Sequence, residues 1–250
     1  MRSSLVVSSR ATLNHVARLF LNQPCPICDR PAAQTFCIDC HRQLFQSFQN
    51  LSAHHRSTAR SRPDRDLRLP VIALSPYDGP LKRAILSMKY NNRPDVAFPL
   101  GQALAKHWQQ QSPSIQRRNT YAIPIPLHPD RQKSRGYNQA ERIAAAFCQM
   151  SRLPLLAHGL QRIKVTQPQH LLGLNERQQN LEHVFQPGKV LKRIANRQSS
   201  RSHPGNANLT VVLIDDIYTT GATIQSAITA LEKIGVSVTG IAVLAQAKLT

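Results

Sequence analysis

Acidic residues are scarce in this 250-residue chain, in which 13 Asp and Glu stand against 32 Lys and Arg for a formal net charge of +19. Such a surplus attracts polyanions, namely nucleic acid, anionic lipid or phosphorylated small molecules, and it does not determine the fold. The alternative is that much of the charge lies in solvated loops. The net charge therefore favours an anionic partner but does not distinguish nucleic acid, anionic lipid and phosphorylated small molecules.

Long apolar runs and aromatic residues are also scarce. No apolar stretch approaches the roughly 20 residues that a membrane-spanning helix requires, which excludes an integral membrane protein of that kind. Aromatic residues make up only 5% of the chain, so no stacking platform for single strands is evident. Any DNA binding is then expected to rest on backbone charge and to be salt-sensitive. The 41% hydrophobic content is enough for a core and excludes a wholly disordered chain.

The N-terminal segment lacks the unbroken apolar stretch of a secretory signal peptide, because Arg10 and Arg18 interrupt residues 1–21. The segment carries Arg and Ser and no acid, which leaves a transit peptide open. We prefer an amphipathic helix that includes Leu13 and Leu19. On this interpretation we expect the protein to be cytoplasmic.

Four of the five cysteines form two CxxC pairs, Cys25 with Cys28 and Cys37 with Cys40. Two such turns can direct four thiolates to one point, which is what a tetrahedral zinc ion requires. We predict a structural zinc ion here rather than free thiols or a redox pair. His41 could replace a cysteine as ligand, but a solvated histidine is the simpler interpretation. Four protein ligands leave no open position for catalysis.

Basic residues concentrate in two segments of low apolar content. Residues 52–68 contain five arginines and two aspartates, and residues 186–208 contain five Lys and Arg and no acid. We predict a basic linker for the first and a basic flexible insert for the second. The chain then divides into residues 1–66, with the zinc-binding unit, a helix and the linker, and a domain of residues 67–250.

Within the second part, apolar segments alternate between strand-like and helix-like patterns. Strands are predicted at 71–74, 121–126, 211–214 and 236–245, with helices starting near Pro80, Asp95, Asn138 and Ala222. This alternation predicts an α/β fold with a parallel sheet covered on both faces. Ligands in such sheets bind beyond the carboxyl ends of the strands.

An acidic and hydroxyl-rich segment follows the predicted strand at 211–214. It contains Asp215, Asp216, Thr219, Thr220, Gly221, Ala222 and Thr223. Hydroxyls and backbone N–H groups at a helix N-terminus bind phosphate, and a glycine lets the backbone approach closely. Ionised carboxylates accept hydrogen bonds from a diol. The segment predicts a sugar-phosphate site, and the alternative is an ordinary strand–turn–helix with a threonine cap.

This segment resembles the phosphoribosyl-pyrophosphate (PRPP) motif of type I phosphoribosyltransferases, and the chain from Cys25 to Ala245 resembles the ComF family. Four landmarks carry the second resemblance in order: the CxxC pairs; residues 77–82 running on to Lys89-Tyr90; residues 123–129 followed by 135–139; and Arg162, Thr166, Gln169, Leu172, Arg177, Asn180 and Phe185. The resemblance implies a type I phosphoribosyltransferase-like domain preceded by a small zinc-binding unit with four cysteine ligands.

Roles for individual residues follow from the same resemblance. Asp215 and Asp216 are expected to be the catalytic acids and to bind the ribose hydroxyls, directly or through Mg²⁺. Residues 219–223 are expected to hold the 5′-phosphate. Arg135 and Lys89 are the cations expected near the pyrophosphate group.

The resemblance leaves two functions open. The ComF family is associated with DNA uptake, which implies a protein that binds PRPP and Mg²⁺ in natural competence or DNA handling, with single-stranded DNA and competence proteins as candidate partners. The alternative is an active phosphoribosyltransferase with a nucleobase or amine acceptor in nucleotide metabolism. No acceptor site is recognisable in the sequence.

Overall fold

The computed structural model describes residues 23–57, 69–111, 119–163, 184–199 and 209–247. The predictions for residues 1–22, for residues 58–68 of the linker, for the landmark residues between 166 and 180 and for residues 200–208 of the insert lie outside these ranges.

The described elements alternate as the hydrophobic pattern predicts. In chain order they are β1 (Gln23–Pro24), β2 (Pro31–Ala32), α1 (Ile38–Ser57), β3 (Val71–Pro76), α2 (Gly79–Tyr90), a 3-10 turn (Pro94–Val96), α3 (Ala97–Gln111), β4 (Thr120–Pro124), α4 (Pro129–Arg135), α5 (Gln139–Ser151), β5 (Leu160–Arg162), β6 (Phe185–Pro187), α6 (Lys189–Ser199), β7 (Thr210–Tyr218), α7 (Ala222–Glu232) and β8 (Ser237–Gln246). Among the described helices, none combines the length and hydropathy that crossing a bilayer would take.

Four of these strands form the central parallel sheet, in the order β3–β8–β7–β4. Its faces are buried in two separate cores, because side chains on successive strand residues point to opposite sides. Val212 and Ile214 pack with α2, α3, α5 and the cysteine-bearing unit. Val211 and Leu213 pack with α6 and α7 on the other face. The predicted α/β fold with a covered parallel sheet is therefore confirmed.

Close packing of α3 against α5 fixes one wall of the domain. A Cβ at Gly101 would lie 2.6 Å from the carbonyl oxygen of Ile143, so only glycine fits this crossing. Asn138 caps α5 as predicted, because its side chain accepts a hydrogen bond of 3.1 Å from the backbone N–H of Ala140. The Nδ2 of Asn138 also donates to the carbonyl of Ile125, which follows β4.

The cysteine-bearing unit is packed onto the domain. Cys25, Leu44 and Phe48 are buried in the same core as the inner face of the sheet. Arg93, held by a bidentate pair with Asp95, donates from Nη1 to the carbonyl of Pro24. The metal-binding unit thus shares its burial with the α/β domain.

The basic segments differ from their prediction. Helix α1 extends to Ser57, into the predicted linker. Most of the described part of the insert is the helix α6, so the prediction of a flexible loop is wrong for residues 189–199. Leu191 and Ala195 are buried and Ile194 packs beside them, which gives a helical stripe at i, i+3 and i+4. The basic composition of this segment obscured that stripe.

Candidate functional site

Three loops meet at one edge of the central sheet. Because β3, β4 and β7 run parallel, their carboxyl ends lie at the same edge, and the loops that follow them are residues 77–78, 125–128 and 219–221. Of the residues predicted to bind the sugar phosphate, Asp215 and Asp216 lie in the second half of β7 and residues 219–223 follow it. The fold therefore places them where a parallel sheet binds its ligands.

The two acids lie inside β7 rather than after it. Strand pairing continues through Asp215, opposite Val243, and ends with Tyr218 opposite Gln246. Consecutive strand residues point to opposite faces, so the two carboxylates have different surroundings. They do not form a clamp of two equivalent carboxylates. The prediction that the strand ends at Ile214 was wrong because acidic residues ordinarily mark a strand end.

Asp216 meets a cation that the sequence also singled out. Its Oδ1 lies 2.9 Å from the Nζ of Lys89, and both side chains are mostly buried. Tyr77, in the loop after β3, lies within the electrostatic reach of this pair. Burial and the charge of Asp216 raise the pKa of Tyr77, while the charge of Lys89 opposes that shift. Asp216 and Lys89 thus form a mostly buried ion pair at the sheet edge, and its charges reach Tyr77.

Asp215 has a different character. Burial of its carboxyl group, followed by the charge of Asp216, raises its pKa to about 7. The backbone N–H of Asp216 donates to its Oδ1 at 2.8 Å and opposes the shift, as do the charges of Lys89 and Arg162. Near neutral pH this group can therefore gain or lose a proton.

Gly221 shapes the turn between β7 and α7. It is the N-cap of α7 with a φ of 76°, a left-handed conformation that favours glycine. Because glycine has no side chain, the amides of the first helical turn are not capped by it. Thr219 and Thr220 are exposed beside the turn. The predicted phosphate-binding segment therefore includes a helix N-terminus, where backbone N–H groups favour negative charge.

A cleft of about 680 Å³ opens between the end of α2 and α4. Its walls include Lys89, Tyr90, Asn92, Arg131, Lys133 and Arg135, and no lining residue is acidic. Lys89 and Arg135, which were predicted to lie near the same phosphate group, are thus in one cleft. The ion pair of Lys89 with Asp216 joins the cleft to β7.

Sequence reasoning missed Arg131 and Lys133 as site residues. Both lie on the short helix α4, which was not predicted. A signal was present, because His128 precedes Pro129 and its side chain accepts a hydrogen bond from the N–H of Asp130. A helix there places Arg131 and Arg135, which are four residues apart, on one face. Read in this way, Arg131 would have been assigned to the same wall as Arg135.

The four predicted zinc ligands come together. The Sγ atoms of Cys25, Cys28, Cys37 and Cys40 all lie within 4.8 Å of one another, and that of Cys28 is 3.6 Å from that of Cys37. Thiolates about 2.3 Å from a tetrahedral zinc ion are about 3.8 Å apart, so these residues fit the ion. The ring of His41 stacks on Phe45 at 4.4 Å and lies outside the cluster.

An arginine completes the surroundings of the sulfur cluster. Arg30 donates from Nε to the Sγ of Cys28 at 3.4 Å and from Nη2 to that of Cys37 at 3.7 Å. Its third contact is a 2.8 Å ion pair with Asp39. The hydrogen bonds from Arg30 lower the pKa of Cys28 to about 6, which favours the thiolate that a metal ion binds. Cys148 lies apart, and burial raises its pKa to about 12.

Comparison with known proteins agrees with the fold described above. Residues 156–249 match the phosphoribosyl transferase domain. The chain is 26% identical over 224 residues to Competence protein F of Haemophilus influenzae, covering 89% of this chain and 88% of that protein. It is 23% identical over 204 residues to Competence protein ComFC of Bacillus subtilis, covering 81% of this chain and 69% of that protein.

Proposed function

Because the chain belongs to the ComF family and has a phosphoribosyltransferase-type fold, we propose that it binds PRPP or a related sugar phosphate, with Mg²⁺, at the carboxyl edge of its sheet. One observation carries the proposal. The cationic cleft meets the acid of the β7 motif directly, through the 2.9 Å contact of Lys89 with Asp216. The site has cations in the cleft, a carboxylate at Asp216 and the first backbone amides of α7 beyond it. A ligand with a hydroxyl-bearing sugar between two phosphate groups matches that order of charges.

Each part of the site has a role in this proposal. The turn at Gly221 takes the 5′-phosphate on the first amides of α7, where the helix dipole favours negative charge. Asp216 and Asp215 accept hydrogen bonds from the ribose hydroxyls or hold Mg²⁺. Lys89 and Arg135 face the pyrophosphate. Mg²⁺, when bound, would neutralise charge on the phosphate oxygens.

Calorimetric titration with PRPP and Mg²⁺ tests the binding. We expect Asp216→Asn to weaken PRPP at least about 10-fold, since one charged hydrogen-bonding group is worth more than about 1 kcal/mol. Glu232→Gln is the matched control, because Glu232 is exposed at the far end of α7. Equal affinities for wild type and Asp216→Asn would overturn the proposal.

We further propose that the cellular role is DNA uptake in competence, or DNA handling in the cytoplasm. Both relatives bear the name of competence proteins, and the net charge of +19 suits a polyanionic partner. Binding to single-stranded DNA should weaken steeply as salt rises, because phosphate contacts release counterions. Affinity that is indifferent to salt would contradict this role.

Asp215 favours a second candidate, an active phosphoribosyltransferase. A carboxyl group with a pKa of about 7 suits proton transfer with an acceptor at neutral pH. In this case Asp215→Asn should reduce pyrophosphate release by roughly 100-fold or more while PRPP still binds. Pyrophosphate release at the wild-type rate in Asp215→Asn would rule that role out.

A further inference from the structure

We propose that Tyr90 and Arg135 form a stacking platform for a nucleobase, so that the cationic cleft binds a base together with a phosphate group. The inference rests on the proposed function and deepens it, because it names a second ligand class, a nucleotide, for the cleft that faces the pyrophosphate of PRPP. The low aromatic content gave no sign of such a platform. The platform depends on where one tyrosine lies in the fold, and amino-acid composition does not reveal that position.

The exposure of Tyr90 is the first observation. It is the last residue of α2 and is 71% exposed, although it is a large aromatic residue at the wall of a cleft. The guanidinium carbon of Arg135 lies 5.5 Å from the centre of its ring. An aromatic face beside an arginine plane offers a base both stacking and cation–π contact.

Hydrogen bonds tie Arg135 to the backbone of α2 just before Tyr90. Gln139 accepts from Nη1 of Arg135 at 3.3 Å and donates from Nε2 to the carbonyl of Met88 at 3.3 Å. The hydroxyl of Tyr137 donates to the same carbonyl. Since Met88 is two residues before Tyr90, this network ties the α2 wall to the α4 wall. A preorganised site loses less entropy when a ligand binds.

The rest of the cleft suits a phosphate. Lys89, Arg131 and Lys133 line it with no acid among its lining residues, and about 680 Å³ is within the range of small-molecule sites. A free nucleotide and the end of a single DNA strand share this chemistry of a base beside a phosphate. The geometry points to a ligand with a base beside a phosphate. Whether that ligand is a free nucleotide or the end of a DNA strand is decided by experiment.

The test compares AMP with ribose 5-phosphate, which carries a hydroxyl at C1 in place of the base. We expect the wild-type protein to bind AMP more tightly, and Tyr90→Ala to weaken AMP roughly 10-fold while ribose 5-phosphate is unchanged. Tyr90→Phe should retain the preference. Phe98→Ala is the matched control, since Phe98 is an exposed aromatic on α3 that does not line the cleft. Equal binding of the two ligands, or an AMP affinity unaffected by Tyr90→Ala, would overturn the inference.

Two further arms identify the source and separate this inference from the proposed function. The affinity for a short oligothymidylate is compared with the affinity for its abasic analogue. If the wild type prefers the oligothymidylate and Tyr90→Ala loses that preference, the platform also binds a DNA strand. PRPP is titrated in parallel. If PRPP fails to bind while the AMP preference depends on Tyr90, the proposed function fails and the platform stands. If PRPP binds and Tyr90→Ala has no effect on AMP binding, the platform fails and the proposed function stands.

Discussion

The Nζ of Lys89 and the Oδ1 of Asp216 are 2.9 Å apart, which joins the last turn of α2 to the carboxyl end of β7 across 127 positions of the chain. The relative exposures of the two side chains are only 17% and 13%. Each charge therefore depends on the other for compensation, and a ligand at Asp216 has to compete with Lys89 or bind beside it.

Removal of either member of this pair should destabilise the protein. We expect Lys89→Met and Asp216→Asn each to lower the free energy of unfolding by about 2 kcal/mol. This is less than the ~3–5 kcal/mol of a fully buried pair, because both groups keep some contact with water. Urea denaturation measures the loss.

The double variant decides whether the pair itself is responsible. Lys89→Met combined with Asp216→Asn leaves no unpaired charge, so it should cost less than the sum of the single changes. Additive losses would show that the two residues act independently.

Gly221 should be required for its backbone conformation as well as for ligand access. We expect Gly221→Ala to cost about 1–2 kcal/mol of stability, because its φ of 76° is unfavourable for any residue with a Cβ. Gly235→Ala is the matched control. Its φ is 70°, a Cβ there meets no atom within 4 Å, and it lies at the opposite edge of the sheet.

The two glycine variants should be equally destabilised and differ in binding. Affinity for PRPP, measured by calorimetry, should fall only in Gly221→Ala. If both variants bind as the wild type does, the turn at Gly221 does not contact the ligand.

Stability should depend on pH through Asp215. Its pKa of about 7 in the folded protein lies above its ordinary value of about 4, so the folded state holds a proton that the unfolded chain releases. The contribution of this group to stability therefore falls as pH rises from about 4 to about 7 and is constant above that. Asp215→Asn removes the dependence. It should melt at least about 2–4 °C above the wild type at pH 8, the shift that about 1 kcal/mol produces in a chain of this size.

The advantage of Asp215→Asn should shrink as the pH is lowered towards 4. Melting temperatures measured at several pH values give the difference directly. A difference that is the same at pH 4 and pH 8 would show that Asp215 is not the group that titrates.

Zinc binding should depend on the cysteine cluster. Cys40→Ser is expected to reduce bound zinc from about one ion per chain to nearly none and to lower the melting temperature, since the unit shares its core with the domain. Cys148→Ser should leave the zinc content unchanged, because Cys148 lies outside the cluster. Elemental analysis of the purified variants measures the ratio. Full zinc content in Cys40→Ser would contradict the assignment.

The sequence was sufficient for the features that depend on local chemistry. Val211–Ile214 is apolar on both faces, which predicts a buried parallel strand, and the structure has that strand within β7. The CxxC spacing predicted four sulfur atoms at one point. Both follow from short-range pattern, which a sequence displays directly.

The features that depend on distant residues were out of reach. The meeting of Lys89 with Asp216 requires α2 and β7 to be neighbours, and no spacing rule predicts a contact across 127 positions. Helix α6 was missed because its apolar stripe of Leu191, Ile194 and Ala195 is hidden among the four basic residues of the helix. Burial of the apolar stripe against the sheet stabilises this helix, although its basic composition is typical of a solvated loop.

The order of the strands has a consequence for biosynthesis. In the described sheet β3 is paired only with β8, which ends at Gln246, and β4 is paired with β7 and, through the single bridge of Ala122, with Leu155, which follows α5. A nascent chain that has left the ribosome as far as α5 therefore holds two strands with no partner. Strands β7 and β8 must be translated before the sheet can close, which leaves the early strands exposed to aggregation or chaperones until β8 has left the ribosome.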